Sequence, residues 1–582
     1  MTDLSRYGLT PFGAVPNERH MEWYRRGRTA FLHFTVNTFT DREWGDGTES
    51  PSVFAPTQLD CRQWARVLKE AGFTAAILTA KHHDGFCLWH TQTTAHSVQN
   101  SPCGVDVVRA FTDACREYGL KAGLYLSPWD RNHPSWGREE YNDIYAAQLT
   151  ELMTRYGPIY ECWWDGAGST EARYDWARWA GIVRKHQPQC VIFGCLGAAE
   201  FVDVRWVGTE EGRAGRDCWA TIDPETIVAE TCASLNSGKW GGSHFIPAET
   251  NTSIRPGWFW HESQNSQVKS PERLVQYWFE SAGRNTAILL NLPPDRRGLI
   301  HEQDAGSVLR WNELLQEMFA EDLAPMGSIA ADEPLHPDLG PGNLLSSDQE
   351  RFYAAETLTP TVTLTFPSPV AFDCWALEEC IELGHRVRRF AVDVCENGNW
   401  RTIAGGECIG FCRCERTEPV KASAVRIRIL EAGAVPVLRR IRLYNTHGLG
   451  LEGRRETVSG ELTAALTRED GAVLADLGGI YPYNTVEFRS TGPVTVLAFN
   501  GTRYEPVWQG IDSPARFVTV TGSYRLKIVG DMEMESVRVS LQKWQKMPEP
   551  KGSGMSDCQE TSISNRTVIA RAKPVAIRIP ET

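Results

Sequence analysis

Ile159-Tyr160-Glu161-Cys162-Trp163-Trp164-Asp165-Gly166 is the stretch on which the reading of this chain turns. An apolar run closes on one carboxylate, framed by an indole and a glycine, where a strand would meet its loop. A buried strand that delivers a single acid at its carboxyl end is how a parallel barrel presents a catalytic group. Taken alone, the segment reads equally well as a lead-in to a helix-capping aspartate. What separates the two readings is recurrence along the first three hundred or so residues.

Short apolar runs fall at Ala30–Thr35, Ala75–Lys81, Ala122–Pro128, Ile159–Asp165, Cys190–Gly194, Val204–Thr209, Phe245–Glu249 and Thr286–Leu292. They are eight strand candidates. Helical patterns lie between several of them, with apolar residues three and four apart: Trp64/Val67/Leu68/Ala71, Phe111/Ala114/Cys115/Tyr118 and Val275/Trp278/Phe279/Ala282. The first two stop at Gly72 and Gly119, as helices do at a glycine C-cap. This alternation predicts one N-terminal (β/α)8-like barrel over residues 1–325. The interval from Gly194 to Val204 leaves little room for a fifth helix.

Polar residues gather where these strands end: His33, Lys81-His82-His83-Asp84, Tyr125, Ser127, Asp165, Glu210, Glu211, Glu249 and Asn291. Strand ends of such a barrel converge on one mouth, so residues some 250 positions apart would share a pocket.

These residues carry a resemblance. From about Glu18 to about Asp322 the chain resembles the retaining α-L-fucosidases of glycoside hydrolase family 29. The matching pieces are Phe31-Leu32-His33-Phe34, Lys81-His82-His83-Asp84-Gly85-Phe86-Cys87-Leu88-Trp89, Gly123-Leu124-Tyr125-Leu126-Ser127, Trp163-Trp164-Asp165-Gly166 and Leu290-Asn291-Leu292-Pro293-Pro294. Two further stretches, Asn37 to Trp44 and Ser253-Ile254-Arg255-Pro256-Gly257-Trp258, resemble the branch that prefers α-1,3- or α-1,4-linked fucose. Where family members often have glycine after the His-Phe pair, this chain has Thr35, a change expected to act on backbone freedom more than on chemistry.

Cleaving a glycosidic bond with retention needs two carboxyl groups, one to attack the anomeric carbon and one to protonate the leaving oxygen. Asp165 suits the first role and stands where the family's nucleophile falls. For the second, Glu210 is the first choice and resembles the branch's acid/base. Its neighbour Glu211 is the rival, and only one of two adjacent residues in an extended segment would face the pocket. Glu249 is the third choice, or else a structural partner of Arg255.

The resemblance implies that His33, Glu43, His82 and His83 hold the fucose, with Tyr125 and Trp164 nearby. Trp44 or Trp164 would supply an apolar wall for the C6 methyl, and Arg255 and Trp258 belong to the same binding set. Imidazoles and carboxylates suit hydroxyl groups as donors and acceptors. A metal bound by His82, His83 and Asp84 is the competing reading, but adjacent residues at a strand end diverge and no His-Glu-x-x-His spacing occurs. No metal or cofactor is therefore expected. Trp258 and Trp260 sit in a Gly/Pro-marked loop and read either as a subsite for the remaining sugar or as core.

Beyond about Pro325 the period changes from helical to alternating. Thr361–Phe366, Phe390–Val394, Ala424–Ile429 and Ile441–Tyr444 read as antiparallel strands of a β-sandwich over 326–450, which resembles the discoidin-like module common behind barrels of this branch. Residues 451–582 read as a second β-rich domain. It shows strands at Val486–Phe488, Val494–Ala498, Phe517–Val520 and Val537–Leu541, a Pro/Gly/Ser-rich strap at 546–564 and a last apolar run Val568–Ile579.

At 582 residues the chain has room for two to four domains. A net charge of −13 without a long basic run argues against nucleic acid or an anionic membrane as partner. No apolar stretch reaches the roughly eighteen residues that span a bilayer, and Met1–Arg28 lacks the blocks of a signal peptide. Sixteen cysteines, several inside predicted strands and helices, read as small buried residues of a reducing, cytoplasmic setting. The expectation is an exo-acting retaining α-L-fucosidase acting on α-1,3/1,4-fucosylated glycans. The alternatives are broader α-1,2, α-1,6 or aryl specificity, or a catalytically silent fucose-binding protein on the same barrel.

Overall fold

The computed structural model describes residues 4–451 except 168–171, 195–196 and 228–231, and from there to 545 chiefly the strands. The strap expected at 546–564 and the run Val568–Ile579 lie outside the described residues. Within the first part, eight parallel strands close into a barrel: β1 (Arg28–Leu32), β2 (Ala75–Lys81), β3 (Lys121–Leu126), β4 (Glu161–Trp163), β5 (Val191–Gly194), β6 (Val204–Trp206), β9 (Ala248–Ser253) and β10 (Ala287–Asn291). Between β6 and β9 a two-residue hairpin intervenes, β7 (Thr221–Ile222) with β8 (His244–Phe245).

Strand period sorts the barrel residues into two cores. Ala30, Leu32, Ala76, Leu78, Leu124, Leu126, Cys162, Trp164, Ile192, Ile288 and Leu290 point outward, into the layer shared with the helices. Phe31, Ile77, Tyr125, Trp163, Val191, Phe193, Val204 and Leu289 point inward and fill the barrel. Burying each such large side chain contributes about 1.5–3 kcal/mol before entropy is set against it. The helices start where the sequence supplies a side-chain acceptor. Asp60 caps the helix Cys61–Glu70 and Asp106 caps Val107–Tyr118, which stops at left-handed Gly119.

Two expectations need correcting. The seventh barrel strand starts at Ala248, not at Phe245, which belongs to the hairpin instead. Its sequence Ala-Glu-Thr-Asn-Thr-Ser is polar yet buried throughout: it pairs with β10 from Glu249 to Ser253, Glu249, Asn251 and Ser253 find polar partners in the barrel interior, and Thr250 donates to the Ala287 carbonyl. The sixth strand ends at Trp206, so Glu210 and Glu211 lie in a bend and not in extended backbone. Among the described residues between Gly194 and Val204 there is no helix.

Behind the barrel, residues 328–444 form one seven-stranded antiparallel sheet. Its two longest strands, Thr361–Glu379 and Arg413–Ala432, step out of register near Thr365/Val370 and Phe372/Cys374. Side chains from both halves, Val362 and Leu364 with Trp375 and Leu377, enter one core, so the sheet folds over on itself. Trp278, Phe279 and Phe319 of the barrel pack on Cys374, Cys414 and Tyr444, and Arg216 pairs with Glu415 at 3.3 Å. Further on, a four-stranded and a five-stranded antiparallel sheet cover residues 454–545. No helix among the described residues is long and apolar enough to cross a membrane. The described cysteines are all free, most of them buried.

Candidate active site

Asp165 stands two residues past β4, on the inward face with Glu161 and Trp163. Its Oδ1 accepts the Ala167 backbone N–H at 2.8 Å and its Oδ2 accepts the Tyr125 hydroxyl at 3.0 Å. His83 Nε2 lies 3.9 Å from the same Oδ2. Burial, then the Asp165 charge, raises the Tyr125 phenol well above its ordinary value, so it stays a donor.

Glu210 meets Asp165 across the mouth. Its Oε2 accepts the Trp258 indole N–H at 3.2 Å. Glu210 is exposed at the mouth, and desolvation by the walls around it raises its carboxyl above the usual carboxylate range; the indole pulls it back, and the charges of Asp165 and Glu43 add to the rise. Glu211 turns the other way, to Arg213 at 3.4 Å. The two carboxylates diverge as expected, though through a bend between left-handed Gly208 and Gly212.

Three imidazoles line the floor. His33 Nδ1 lies 2.9 Å from Asn291 Oδ1, and the Asn291 amide nitrogen donates to the Trp258 carbonyl at 2.7 Å, which fixes the amide's orientation. His33 therefore donates through Nδ1 and keeps a lone pair on Nε2. Ser127 donates to the Trp129 carbonyl at 2.8 Å, so His83, 2.8 Å from that hydroxyl, donates to it through Nδ1 and likewise keeps Nε2 as an acceptor. Burial lowers all three histidines, His33 to about 3 and His82 well below its ordinary value, and each is neutral at physiological pH. His82 stacks on Tyr125 with ring centroids 5.7 Å apart, and its Nδ1 is buried without a partner.

Trp44, 58% exposed, stands edge-on to His83 and to Trp129 at the rim. Trp129 was not singled out from sequence; its signal is its place two residues after Ser127 at the end of β3. Asn291 was seen only as a strand-end polar residue, and the structure makes it the link between His33 and the Trp258 loop.

Three expected binding residues are placed differently. Trp164 is fully buried on the outward face against Trp176, because strand period gives the inward position to Trp163. Arg255 is buried too, its Nε 2.8 Å from Asp304 Oδ2 and its Nη1 3.0 Å from Asn265, away from the pocket. Glu43 uses its carboxylate on the loop: the N–H groups of Trp258 (2.8 Å) and Phe259 (3.3 Å) and the His261 ring (2.6 Å) converge on it. A Cβ at Gly257 would come within 2.1 Å of that carboxylate, so the close approach requires glycine. Glu249 does not partner Arg255. It lies at the barrel floor with Arg26 at 3.4 Å and the indoles of Trp163 (3.1 Å) and Trp23 (3.2 Å). Trp260 is core, its ring facing Arg255 and Arg296.

The Lys-His-His-Asp segment divides its labour. Lys81 points outward and is held by Asp130 (3.1 Å), Tyr141 (2.7 Å) and Gln148 (2.8 Å). Asp84, fully buried and pushed up to about 7 by desolvation, accepts from Thr35 Oγ1 at 2.8 Å and Phe86 N at 2.7 Å. Thr35 has extended backbone and caps the following short helix. Its effect is thus chemical, a hydroxyl tying β1 to the His82-His83 turn, and not the change in backbone freedom expected from sequence. Among the described residues no group of three or more His, Cys, Asp or Glu converges to hold a metal ion.

A barrel mouth with two carboxylates in unlike surroundings, neutral imidazoles with free acceptors and an indole rim is the apparatus of a glycoside hydrolase. The α-L-fucosidase family model matches residues 7–316. The chain is 36% identical to α-L-fucosidase 1 of Arabidopsis thaliana over 478 residues, 79% of this chain and 92% of that one. It is 44% identical to a Bacteroides thetaiotaomicron protein solved as a candidate α-L-fucosidase, with 75% of this chain and 99% of that one covered and a TM-score of 0.74. A Ruminococcus gnavus family 29 fucosidase, solved in complex with fucose, is 28% identical over 75% of this chain and 96% of its own, with a TM-score of 0.68. This chain belongs to the α-L-fucosidases of glycoside hydrolase family 29 and is an α-L-fucosidase.

Proposed function

We propose that the protein releases terminal L-fucose from α-1,3/1,4-fucosylated glycans by double displacement, with Asp165 as nucleophile and Glu210 as acid/base. The observation that carries this reading is the contrast between the two carboxyls. Asp165 is held in place by two hydrogen bonds beside an imidazole, as an attacking group must be; Glu210, at the exposed mouth, is raised by desolvation and by the charge of Asp165, an environment for an acid. In the first step the Asp165 carboxylate bonds to the anomeric carbon as the glycosidic bond breaks, and Glu210 gives its proton to the leaving oxygen. Water, deprotonated by Glu210, then displaces Asp165 with a second inversion, so configuration is retained. His33 and His83 accept from sugar hydroxyls through Nε2, and Trp44 and Trp258 wall the pocket.

The test is E210A with an activated aryl fucoside and azide. Recovered turnover with α-fucosyl azide as product supports both assignments; the same behaviour from E211A with E210A like wild type would overturn the acid/base. Linkage is tested by comparing a Lewis-type trisaccharide with 2′-fucosyllactose. Equal or faster release from the latter supports broader specificity instead.

A further inference from the structure

His261 lies outside the sugar pocket, yet the acid/base is tied to it through three contacts. Its ring sits between two carboxylates, Nδ1 2.9 Å from Asp41 Oδ1 and Nε2 2.6 Å from Glu43 Oε1. The ring thus bridges the two carboxyl groups, one on each nitrogen. Arg296 lies 3.6 Å from Asp41, and Arg255 Nη1 reaches the His261 carbonyl at 3.4 Å, so the cluster is anchored to the barrel. Glu43 in turn takes the N–H groups of Trp258 and Phe259, and the Trp258 carbonyl is held from the other side by Asn291. The loop is clamped on both edges. What the clamp presents to the pocket is the Trp258 indole N–H, 3.2 Å from Glu210 Oε2.

We propose that His261 is a positioning residue for the acid/base: with Asp41 it fixes Glu43, Glu43 fixes the backbone of Trp258, and the indole N–H is thereby held on Glu210. This rests on the assignment of Glu210 above. Its role is to offset what desolvation at the mouth and the neighbouring carboxyls do to the acid. The groups facing Glu210 are Asp165 and Glu43, whose charges raise it, and Trp258, whose N–H favours the ionised form. Without the indole bond the protonated form gains, the acid weakens, and transfer to a poor leaving group slows. Cleavage of a substrate with a good leaving group needs little protonation and is spared.

The experiment compares wild type, H261A, H261Q, W258F and the H261A/W258F double variant. Each is tested on a fucosyl oligosaccharide and on an aryl fucoside with a strongly acidic phenol, with free-fucose inhibition as a control. Loss of roughly 10- to 100-fold in kcat/KM on the oligosaccharide is expected for H261A and for W258F, and for H261A, whose residue lies outside the pocket, less than threefold on the aryl fucoside and on fucose affinity. The alkaline limb of kcat/KM is expected to move up by roughly one pH unit. The double variant is expected to be no worse than W258F, since both act through one bond. In H261A, parallel losses on both substrates, weakened fucose inhibition or an unmoved alkaline limb would each overturn the proposal, as would additive losses in the double variant. If H261A fails to fold, H261Q, which keeps one donor, carries the same comparison. Failure of Glu210 itself is distinguished by the E210A azide assay, which does not depend on His261.

Discussion

The Tyr125 hydroxyl donates to Asp165 Oδ2 at 3.0 Å, from one strand of the barrel to the loop of the next. The register of β3 and β4 pairs Tyr125 with Trp163, so Asp165 projects just above the phenol. Tyr125 is fully buried, and the bond holds the carboxylate in one rotamer. A hydrogen bond to a charged group is worth about 1.5–3 kcal/mol. Tyr125→Phe is therefore expected to cost up to about that much fold stability and to lower kcat roughly tenfold or more, measured by a thermal melt and steady-state kinetics. Asp165→Asn is expected to lower turnover by several orders of magnitude while fucose binding survives. Activity within about tenfold of wild type in the Asn variant is incompatible with a covalent role.

His82 and His83 serve hydroxyl recognition in this reading, not a metal. Each is neutral, and His83 is committed to Ser127 through Nδ1. His82→Ala and His83→Ala are expected to raise KM and lower kcat/KM by at least tenfold, while dialysis of the wild type against a chelator leaves kcat unchanged. Loss of activity to the chelator and its return with zinc would show that a metal acts there.

The barrel was legible from sequence because its strands are buried on both faces and so read as continuous apolar runs, and Ala75–Lys81 coincides with β2 to the residue. The pocket was legible because strand ends converge. What failed was assignment of faces. Trp163-Trp164 offers two indoles, and only the period counted from Asp165 tells them apart. Arg255 and Glu43 carry charges that propensity cannot sort into structural and functional, since their partners, Asp304 and the 258–259 backbone, lie far away in sequence. The polar strand Ala248–Ser253 was displaced by three residues because hydrophobicity does not register a buried polar interior.

Glu161 and Glu249 share the barrel floor with a single counter-charge, Arg26. Burial pushes both carboxyls up, Glu249 to about 8, with the charge of Glu161 adding to the rise and Arg26 opposing it. The folded protein thus holds a proton that the unfolded chain releases above about pH 4.5. Stability from this source is full below that value and is lost as pH rises toward 8. Glu249→Gln needs no such proton, so its stability relative to wild type is expected to improve from pH 5 to 8 and to compare best at pH 8. Urea denaturation of both proteins at pH 5, 6.5 and 8 reads this as their difference, because the buried neutral histidines make both more stable as pH rises from 5; a stability of wild type relative to Glu249→Gln that does not fall across the range refutes it.

Trp163 and Trp164 provide the sharpest test of the barrel's alternation. Trp163 lies inward, stacked on Phe193 with centroids 4.0 Å apart, and its N–H supports Glu249 directly below the expected nucleophile. Trp164 lies outward with its N–H unpaired in the helix layer. Trp163→Phe removes a donor from a buried carboxyl and loosens the strand end that carries Asp165, so both stability and kcat are expected to fall, kcat by several-fold. Trp164→Phe removes an unsatisfied donor but leaves a void, with an expected cost of about 1–3 kcal/mol and kinetic constants within twofold of wild type. Both are read by denaturant melts beside KM and kcat on an aryl fucoside. Should Trp164→Phe raise KM tenfold at unchanged stability, the indole touches the sugar after all, and the face assignment of β4 is inverted.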